Sequence, residues 1–386
     1  MEKNKNQKYA QDGVNIATGD VFSAFCGDIC KSTYGNSPFI EVYDLSRGNF
    51  RGPRGFKLKG LPAECLLTMV VDGVGTKVIP IVASGKLKTA ASNVIAMTAM
   101  DITRYGGLPL VFMNIFDVCS LGEPDSETYQ MCQDVMLGLQ SLADENHYVL
   151  LGGETAELGV CVGSDNPNAK LSFNWGGTML GIYHPDKMIY GDTLEPGQII
   201  IALKDDFRSN GISSVRKAFR SCYGDNWFNC PEALNDIIAA SSPSVQYDHL
   251  LNYAHGWARS SNRISLKPII PMHLIVHLSG GAFESKLGTD MLLPRGLSAE
   301  LYDLFTPPEI MLKCADWRGL SDEECYSTWN GGQGAIVVVD QENVKNFLDV
   351  AKIFEIEARV AGQITAKASY NVAIESKFLS GKTIYY

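Results

Sequence analysis

Short apolar runs alternate with polar segments along the chain, and their lengths predict strands. Apolar side chains between residues 92 and 105, and again from about Asp125 onward, recur at the three- and four-residue spacing of a helix. Strands interleaved with helices predict an α/β (α+β) architecture. The apolar runs predict strands over 66–71, 108–117, 148–151, 173–183 and 198–203.

Two of these predicted strands end in glycines and carboxylates. Residues 72–77 read Asp-Gly-Val-Gly-Thr-Lys, and residues 152–157 read Gly-Gly-Glu-Thr-Ala-Glu. Glycine lets backbone N–H groups approach a phosphate, a carboxylate can hold a hard divalent cation, and Lys77 adds a positive charge. The two segments can converge on one cleft beyond the strand ends. A tight turn with a solvated lysine would use the same residues as 72–77, so that alternative stays open.

The second half holds further candidate binding residues. Residues 208–211, Arg-Ser-Asn-Gly, precede a predicted helix, where they would either cap the helix or bind an anion. His277 follows an apolar strand and precedes Gly280 and Gly281; a lone histidine of this kind is often a buried core residue. The basic segment 46–60 is rich in glycine and could fold over a polyphosphate or remain a solvated loop.

Composition places these candidates in an ordinary globular protein. The 386 residues predict two domains. A net charge of −10 argues against a broad nucleic-acid or anionic-membrane surface, and no apolar run reaches the length of a membrane span. Ten scattered cysteines without metal-ligand spacing, together with a polar N-terminal segment, predict a cytoplasmic protein with no nucleic-acid or membrane partner.

Taken together and in order, these segments resemble the phosphoribosylformylglycinamidine cyclo-ligases, or aminoimidazole ribonucleotide synthetases. The matching pieces are Tyr9 with Gly13-Val14, 72–77, the Asp101 helix, 152–157, 209–211, 277–281 and 330–334. The resemblance implies an N-terminal ATP- and metal-binding dimerisation domain over 1–187 and a synthetase-like domain over 188–386. It also implies that the N-terminal domain forms a β-barrel shared within a homodimer.

The resemblance further implies a reaction: ATP-dependent cyclisation of formylglycinamidine ribonucleotide to aminoimidazole ribonucleotide, with release of ADP and phosphate. The cofactors would be ATP and Mg²⁺, and the substrate a small nucleotide. On this basis His277, Asp72 and Lys77 are the expected catalytic residues, and Asp72, Asp101 and Glu154 the expected metal ligands. The expected ATP and phosphate contacts are Gly73, Gly75, Thr76, Lys77, Asp101, Gly152 and Gly153. The expected substrate contacts are Arg208, Ser209, Asn210, Gly211, Gly280 and Gly281.

Three positions depart from the family pattern. Met100 stands where the family usually has asparagine, Asn114 where it has aspartate, and Arg208 where it often has histidine. They keep two alternatives open: a sibling ATP-dependent enzyme acting on a different substrate, and a non-catalytic nucleotide-binding homologue.

Overall fold

The computed structural model describes residues 16–49, 52–258, 265, 267–279 and 281–386. The described strands form sheets of two, four and seven strands. They are β1 (Ile40–Asp44), β2 (Arg54–Leu58), β3 (Leu66–Gly73), β4 (Leu108–Val118), β5 (Val149–Glu157), β6 (Phe173–Tyr183), β7 (Ile199–Lys204), β8 (Leu274–His277), β9 (Leu297–Leu301), β10 (Gln333–Val339), β11 (Ala358–Ala366), β12 (Val372–Glu375) and β13 (Thr383–Tyr385).

The described helices include one long π-helix, Ala282–Leu292. None of them has the length and apolar character needed to cross a bilayer. The α-helices are α1 (Ile16–Ser32), α2 (Val78–Ser84), α3 (Ala90–Thr103), α4 (Glu127–Asn146), α5 (Ile212–Tyr223), α6 (Leu234–Ala240), α7 (Asp248–Ala254), α8 (Glu309–Arg318), α9 (Asp322–Thr328) and α10 (Val344–Ile353).

The four-stranded sheet has the order β3-β6-β4-β5, with only β4 and β5 parallel. One face packs on α1, α3 and α4 around buried Phe112, Trp175 and Val94. Gly177 permits this packing, because a Cβ there would lie 2.1 Å from the Phe112 ring. The strands predicted in this half are confirmed, and they form an open sheet within one chain. The barrel shared by two chains therefore remains a prediction.

The seven-stranded sheet has the order β13-β12-β9-β11-β7-β10-β8. Strand β7 shows how both of its faces are covered. Ile200 and Ala202 pack into one apolar core with Phe219, while Ile199 and Ile201 pack into a second core with Phe347. An apolar run without polar alternation is typical of a strand buried on both faces. The strand predicted at 198–203 is thereby confirmed.

The two larger sheets use separate parts of the chain. The four-stranded sheet spans residues 66–183 and the seven-stranded sheet spans 199–385. The predicted domain boundary at 187/188 lies in the connection between them. With its mixed α/β architecture, the chain has the predicted fold class.

Glycine lets the two halves meet closely after α3. The Asn252 side-chain amide donates to the Gly107 carbonyl, and the Trp257 indole N–H donates to the Gly106 carbonyl, both at 2.8 Å. Gly106 adopts a φ of 82°, and a Cβ there would lie 2.3 Å from the Lys187 carbonyl oxygen and 2.7 Å from Nε2 of His255 in the second half. Any larger residue would therefore push the two halves apart.

Two left-handed glycines allow this junction to be tested. Gly85 has a φ of 70° and open space where a Cβ would go, so Gly85→Ala meets only the backbone penalty of about 1–2 kcal/mol. Gly106→Ala meets a similar penalty plus the clash with Lys187. We expect Gly106→Ala to lower the melting temperature by several degrees more than Gly85→Ala, as measured by circular dichroism. Equal melting temperatures would contradict a tight junction.

Candidate active site

Two carboxylates from the first half, Asp72 and Asp101, lie within electrostatic reach of each other. Asp72 is half-buried near the end of β3, and its Oδ1 accepts a hydrogen bond of 2.6 Å from the Gly73 N–H. Burial raises the pKa of Asp72, the Gly73 hydrogen bond opposes that rise, and the negative charge of Asp101 adds to it. Neighbouring carboxylates that disfavour each other's charge are suited to sharing a cation.

Asp101 has a cationic neighbour of the kind its position requires. It lies near the C-terminus of α3, where the helix dipole disfavours a negative charge. Arg104, three residues further along, brings its Nε within 3.5 Å of Asp101 Oδ1. The i,i+3 spacing could have indicated this pair from the sequence. Arg104 also lies over the Tyr105 ring at 4.6 Å.

His277 comes from the second half, at the end of β8. Its side chain is buried, and its Nε2 has no hydrogen-bond partner among the described residues. Burial holds the pKa of His277 well below its usual range, and the positive charges of Arg208, Lys286 and Arg104 lower it further. The imidazole is therefore neutral at pH 7, with one ring nitrogen free for a ligand.

The residues before α5 present more unpaired polar atoms. Within the described chain, Ser209 Oγ and Asn210 Nδ2 are buried without a partner. Gly211 follows with a φ of 75° and fits tightly against Trp329, whose indole N–H donates to its carbonyl at 3.1 Å. Unpaired polar atoms at a helix N-terminus are typical of an anion-binding site.

Gly281 has a φ of 68° and immediately precedes the π-helix. Its left-handed backbone lets the chain turn directly from β8 into that helix. Gly280 lies outside the described residues, as do Tyr9, Gly13 and Val14.

Lys77 does not occupy the position expected of a phosphate ligand. Its side chain is fully buried, and its ammonium donates to Asn93 Oδ1 at 2.9 Å, to the Ser242 carbonyl at 2.7 Å and to the Phe207 carbonyl. Three acceptors match the three hydrogens of an ammonium group. The turn over Gly75–Lys77 points this side chain into the interior, so its expected phosphate and catalytic roles are not supported by its placement.

Arg208 is likewise engaged within the protein. Its guanidinium is buried and forms a 2.5 Å ion pair with Asp205, whose carboxylate also accepts from the Val245 N–H at 3.3 Å. Arg208 Nε keeps no partner among the described residues. Arg208 thus borders the site, but Asp205 neutralises its charge, which weakens the expected contact with a substrate phosphate.

Glu154 does not join the two other carboxylates. β3 and β5 are opposite edges of the four-stranded sheet, which places Asp72 and Glu154 about 14 Å apart at the usual strand spacing. Among the described residues, no group of three or more histidine, cysteine, aspartate or glutamate side chains could hold a metal ion. The expected three-carboxylate metal site is thus reduced to Asp72 and Asp101.

Glu154 instead lines a cavity of about 510 Å³ together with Gly152, Gly153, Asp20 and Arg54. The close approach of β5 to β4 requires glycine at 153, since a Cβ there would lie 2.7 Å from Asn114 Nδ2. This volume is within the range of small-molecule sites.

Two of the three departures from the family pattern have local structural explanations. The Asn114 amide oxygen accepts a 3.1 Å hydrogen bond from the Trp175 indole, a contact between neighbouring strands. Met100 is buried in the apolar core that contains Tyr247 and Leu251 of the second half. Met100 therefore contributes packing.

Lys286 is not among the site residues predicted from the sequence. It lies in the π-helix, its ammonium donates to Ser279 Oγ, and the charges of Asp72 and Asp101 act on it. The available signal was a lysine nine residues after His277, within a segment too irregular to place by periodicity.

The chain is similar in sequence to known proteins along most of its length. Residues 59–182 match the family described as AIR synthase related protein, N-terminal domain. The phosphoribosylformylglycinamidine cyclo-ligase of Desulfotalea psychrophila is 27% identical over 94% of this chain and 94% of its own length. That of Methanococcus vannielii is 26% identical over 96% of this chain and 94% of its own. The resemblance to this family is confirmed.

Solved structures confirm the fold. E. coli HypE superposes with a TM-score of 0.58 at 12% identity, covering 94% of this chain and 96% of its own. The thiamine-monophosphate kinase of Stenotrophomonas maltophilia gives a TM-score of 0.52 at 13% identity, covering 92% of this chain and 95% of its own. A hydrogenase maturation protein HypE solved in complex with ATP gives a TM-score of 0.54 at 14% identity, covering 84% of this chain and 85% of its own.

The buried Lys77 ammonium predicts a stability effect. Lys77→Met keeps the apolar stem but removes the donor to the Phe207 and Ser242 carbonyl oxygens, which costs about 1–3 kcal/mol for each group that water cannot reach. We expect a lower free energy of unfolding in urea. Lys170→Met is the control, since Lys170 pairs with Glu127 at an exposed position and should change stability by less than about 1 kcal/mol. Unchanged stability of Lys77→Met with loss of ATP binding would restore the phosphate role.

Proposed function

We propose that this chain is an ATP-dependent phosphoribosylformylglycinamidine cyclo-ligase. The observation that carries the proposal is that functional groups from both halves meet. The Asp72 and Asp101 carboxylates come from the first half and the neutral His277 imidazole from the second. All three lie within electrostatic reach of the same cation, Lys286. The names of relatives that align along nearly the whole chain support the choice of substrate.

The reaction has two steps. The amide oxygen of formylglycinamidine ribonucleotide forms a bond to the γ-phosphorus of ATP while the bond to the ADP oxygen breaks. An internal nitrogen then bonds to the activated carbon, the carbon–oxygen bond breaks with release of phosphate, and the nitrogen loses a proton. Both steps develop charge on phosphoryl oxygens, which a site stabilises by positioning and by positive charge.

Asp72 and Asp101 would hold the Mg²⁺ that accompanies ATP. The half-buried, mutually repelling carboxylates suit a hard cation, which Mg²⁺ binds through one or two carboxylates plus water and phosphate oxygens. When bound, Mg²⁺ supplies positive charge at the nucleotide phosphates. Backbone N–H groups near Gly75 and Thr76 would bind those phosphates, because Gly75 has a left-handed φ of 63° three residues after Asp72, whereas the Gly73 N–H already donates to Asp72 Oδ1.

The remaining predicted contacts divide between two places. Ser209, Asn210 and the start of α5 would bind the substrate or its phosphate, using polar atoms that have no partner in the described chain. Neutral His277 would orient the substrate amide through Nε2. The cavity at Gly152, Gly153 and Glu154 is large enough for a nucleotide-sized ligand, and we assign it to the nucleotide.

The first test is ADP release by the purified protein with Mg-ATP, with and without formylglycinamidine ribonucleotide. We expect substrate-dependent ADP release with an equal amount of aminoimidazole product, and its loss when EDTA removes the metal. ATP binding without substrate-dependent ADP release would favour the sibling enzyme or the non-catalytic homologue.

Asp72→Asn tests the metal assignment. The amide keeps the shape of the side chain but loses the charge, so we expect a fall in kcat of about 10²-fold or more. Asp117→Asn, on strand β4 of the same sheet, is the matched control and should retain turnover. Comparable activity of the two variants at saturating Mg²⁺ would contradict the assignment of Asp72.

We also propose that the chain acts as a homodimer in the cytoplasm. The second face of the four-stranded sheet leaves large apolar side chains in water: Leu67, Met69, Val71, Met113 and Ile115, which are 43–74% exposed. A continuous apolar face of this kind marks an interaction surface, and a second copy would close it into the implied barrel. The ten cysteines are all free thiols, which supports a reducing compartment.

Two equally exposed apolar residues test the dimer. Val71 is 74% exposed on the sheet face, and Ile353 is 75% exposed at the end of α10. We expect Val71→Asp to give monomers in analytical ultracentrifugation, because a charge would be buried in the interface, while Ile353→Asp remains dimeric. A wild-type chain that sediments as a monomer at micromolar concentration would contradict the proposal.

A further inference from the structure

The π-helix after β8 carries a lysine to the carboxylate pair. Gly281, with its left-handed backbone, starts the helix four residues after His277. Lys286 lies in the first turn of this helix, and its ammonium donates to Ser279 Oγ. π-helical turns are rare and occur frequently at functional sites, because the wider turn re-aims side chains.

Lys286 is surrounded by charges from both halves. Asp72 and Asp101 attract its ammonium, while Arg104 and Arg208 repel it. Burial lowers the pKa of Lys286 and the arginines lower it further, whereas the two carboxylates raise it. A small cavity of about 60 Å³ is lined by Lys286 together with Arg104 and Asp290. The ammonium therefore lies where the two halves meet.

The other cations of the site already have partners. Arg104 pairs with Asp101, and Arg208 pairs with Asp205. The Lys77 ammonium is occupied by three oxygens. Lys286 donates to a hydroxyl, and no carboxylate in the described part of the chain lies within 4.0 Å of its ammonium. Of these four cations, Lys286 is the one that has neither a carboxylate in direct contact nor three oxygen acceptors in the described part of the chain.

We propose that Lys286 is the catalytic cation that contacts the phosphoryl group during its transfer from ATP to the substrate. This inference rests on the proposed function. The amide oxygen–phosphorus bond forms and the phosphorus–ADP oxygen bond breaks, while Lys286 keeps its protons and supplies positive charge to the phosphoryl oxygens. Ser279 holds the ammonium in place, and the adjacent Asp72 and Asp101 would hold the metal on another side of the same group.

The test compares Lys286→Met and Lys286→Arg with Lys345→Met, a control at a lysine whose side chain is 90% exposed. At saturating substrates we expect Lys286→Met to lower kcat for ADP release by about 10²–10³-fold, the usual effect of removing one transition-state donor. Lys286→Arg should recover part of that loss, and Lys345→Met should match the wild type. Calorimetry with a non-hydrolysable ATP analogue should give a Kd within a few-fold of the wild type for every variant.

Three results would overturn the proposal. If Lys286→Met retains kcat within threefold while the wild type is active, Lys286 takes no part in the transfer. If Lys286→Met raises KM with kcat unchanged, the residue binds the substrate ground state instead. If the wild type itself releases no ADP with this substrate, the proposed function fails, and this role of Lys286 fails with it. The melting temperature of each variant shows whether it is folded. Lys286→Gln is a second variant that removes the charge, in case Lys286→Met misfolds.

Discussion

One buried ammonium group connects the two halves of the chain. Lys77 belongs to the first half, yet two of its three acceptors, the carbonyls of Phe207 and Ser242, belong to the second. The third acceptor, Asn93 Oδ1, also accepts a 2.8 Å hydrogen bond from Ser244 Oγ. An unpaired buried charge is costly, so the ammonium is stable in this position only while both halves surround it.

This constraint determines the geometry of the site. Phe207 immediately precedes Arg208, so the Lys77 contact fixes the loop that leads to Ser209 and Asn210. Asp72 lies five residues before Lys77, near the end of β3, and Lys77 ends the turn that follows this strand. Groups that belong to different sheets are thereby held in a defined arrangement before any ligand binds, which is the preorganisation that electrostatic catalysis requires.

Much of the fold and part of the site could be predicted from the sequence, for identifiable reasons. Apolar runs predicted β3, β5 and β7, and glycines marked the ends of the first two, because burial and backbone freedom are local properties. The resemblance to the family also implied that Asp72 and Asp101 belong to one site, and they lie within electrostatic reach of each other. By contrast, the direction of Lys77 depends on acceptors more than 100 residues away, and the separation of Glu154 from Asp72 depends on strand order. Lys286 was missed because π-helical geometry leaves no regular apolar period.

The shared acceptors of Lys77 also bear on how such a chain can change over time. If the first half were produced as a free-standing fragment, Lys77 would lose the carbonyl acceptors of Phe207 and Ser242, and a first half taken from a distant homologue would have to supply a donor for them. Insertions are better tolerated in exposed loops away from this contact than near residues 207 or 242. The two larger sheets are formed by separate parts of the chain, but each half supplies contacts that the other needs. Recombination between relatives would therefore have to transfer both halves together.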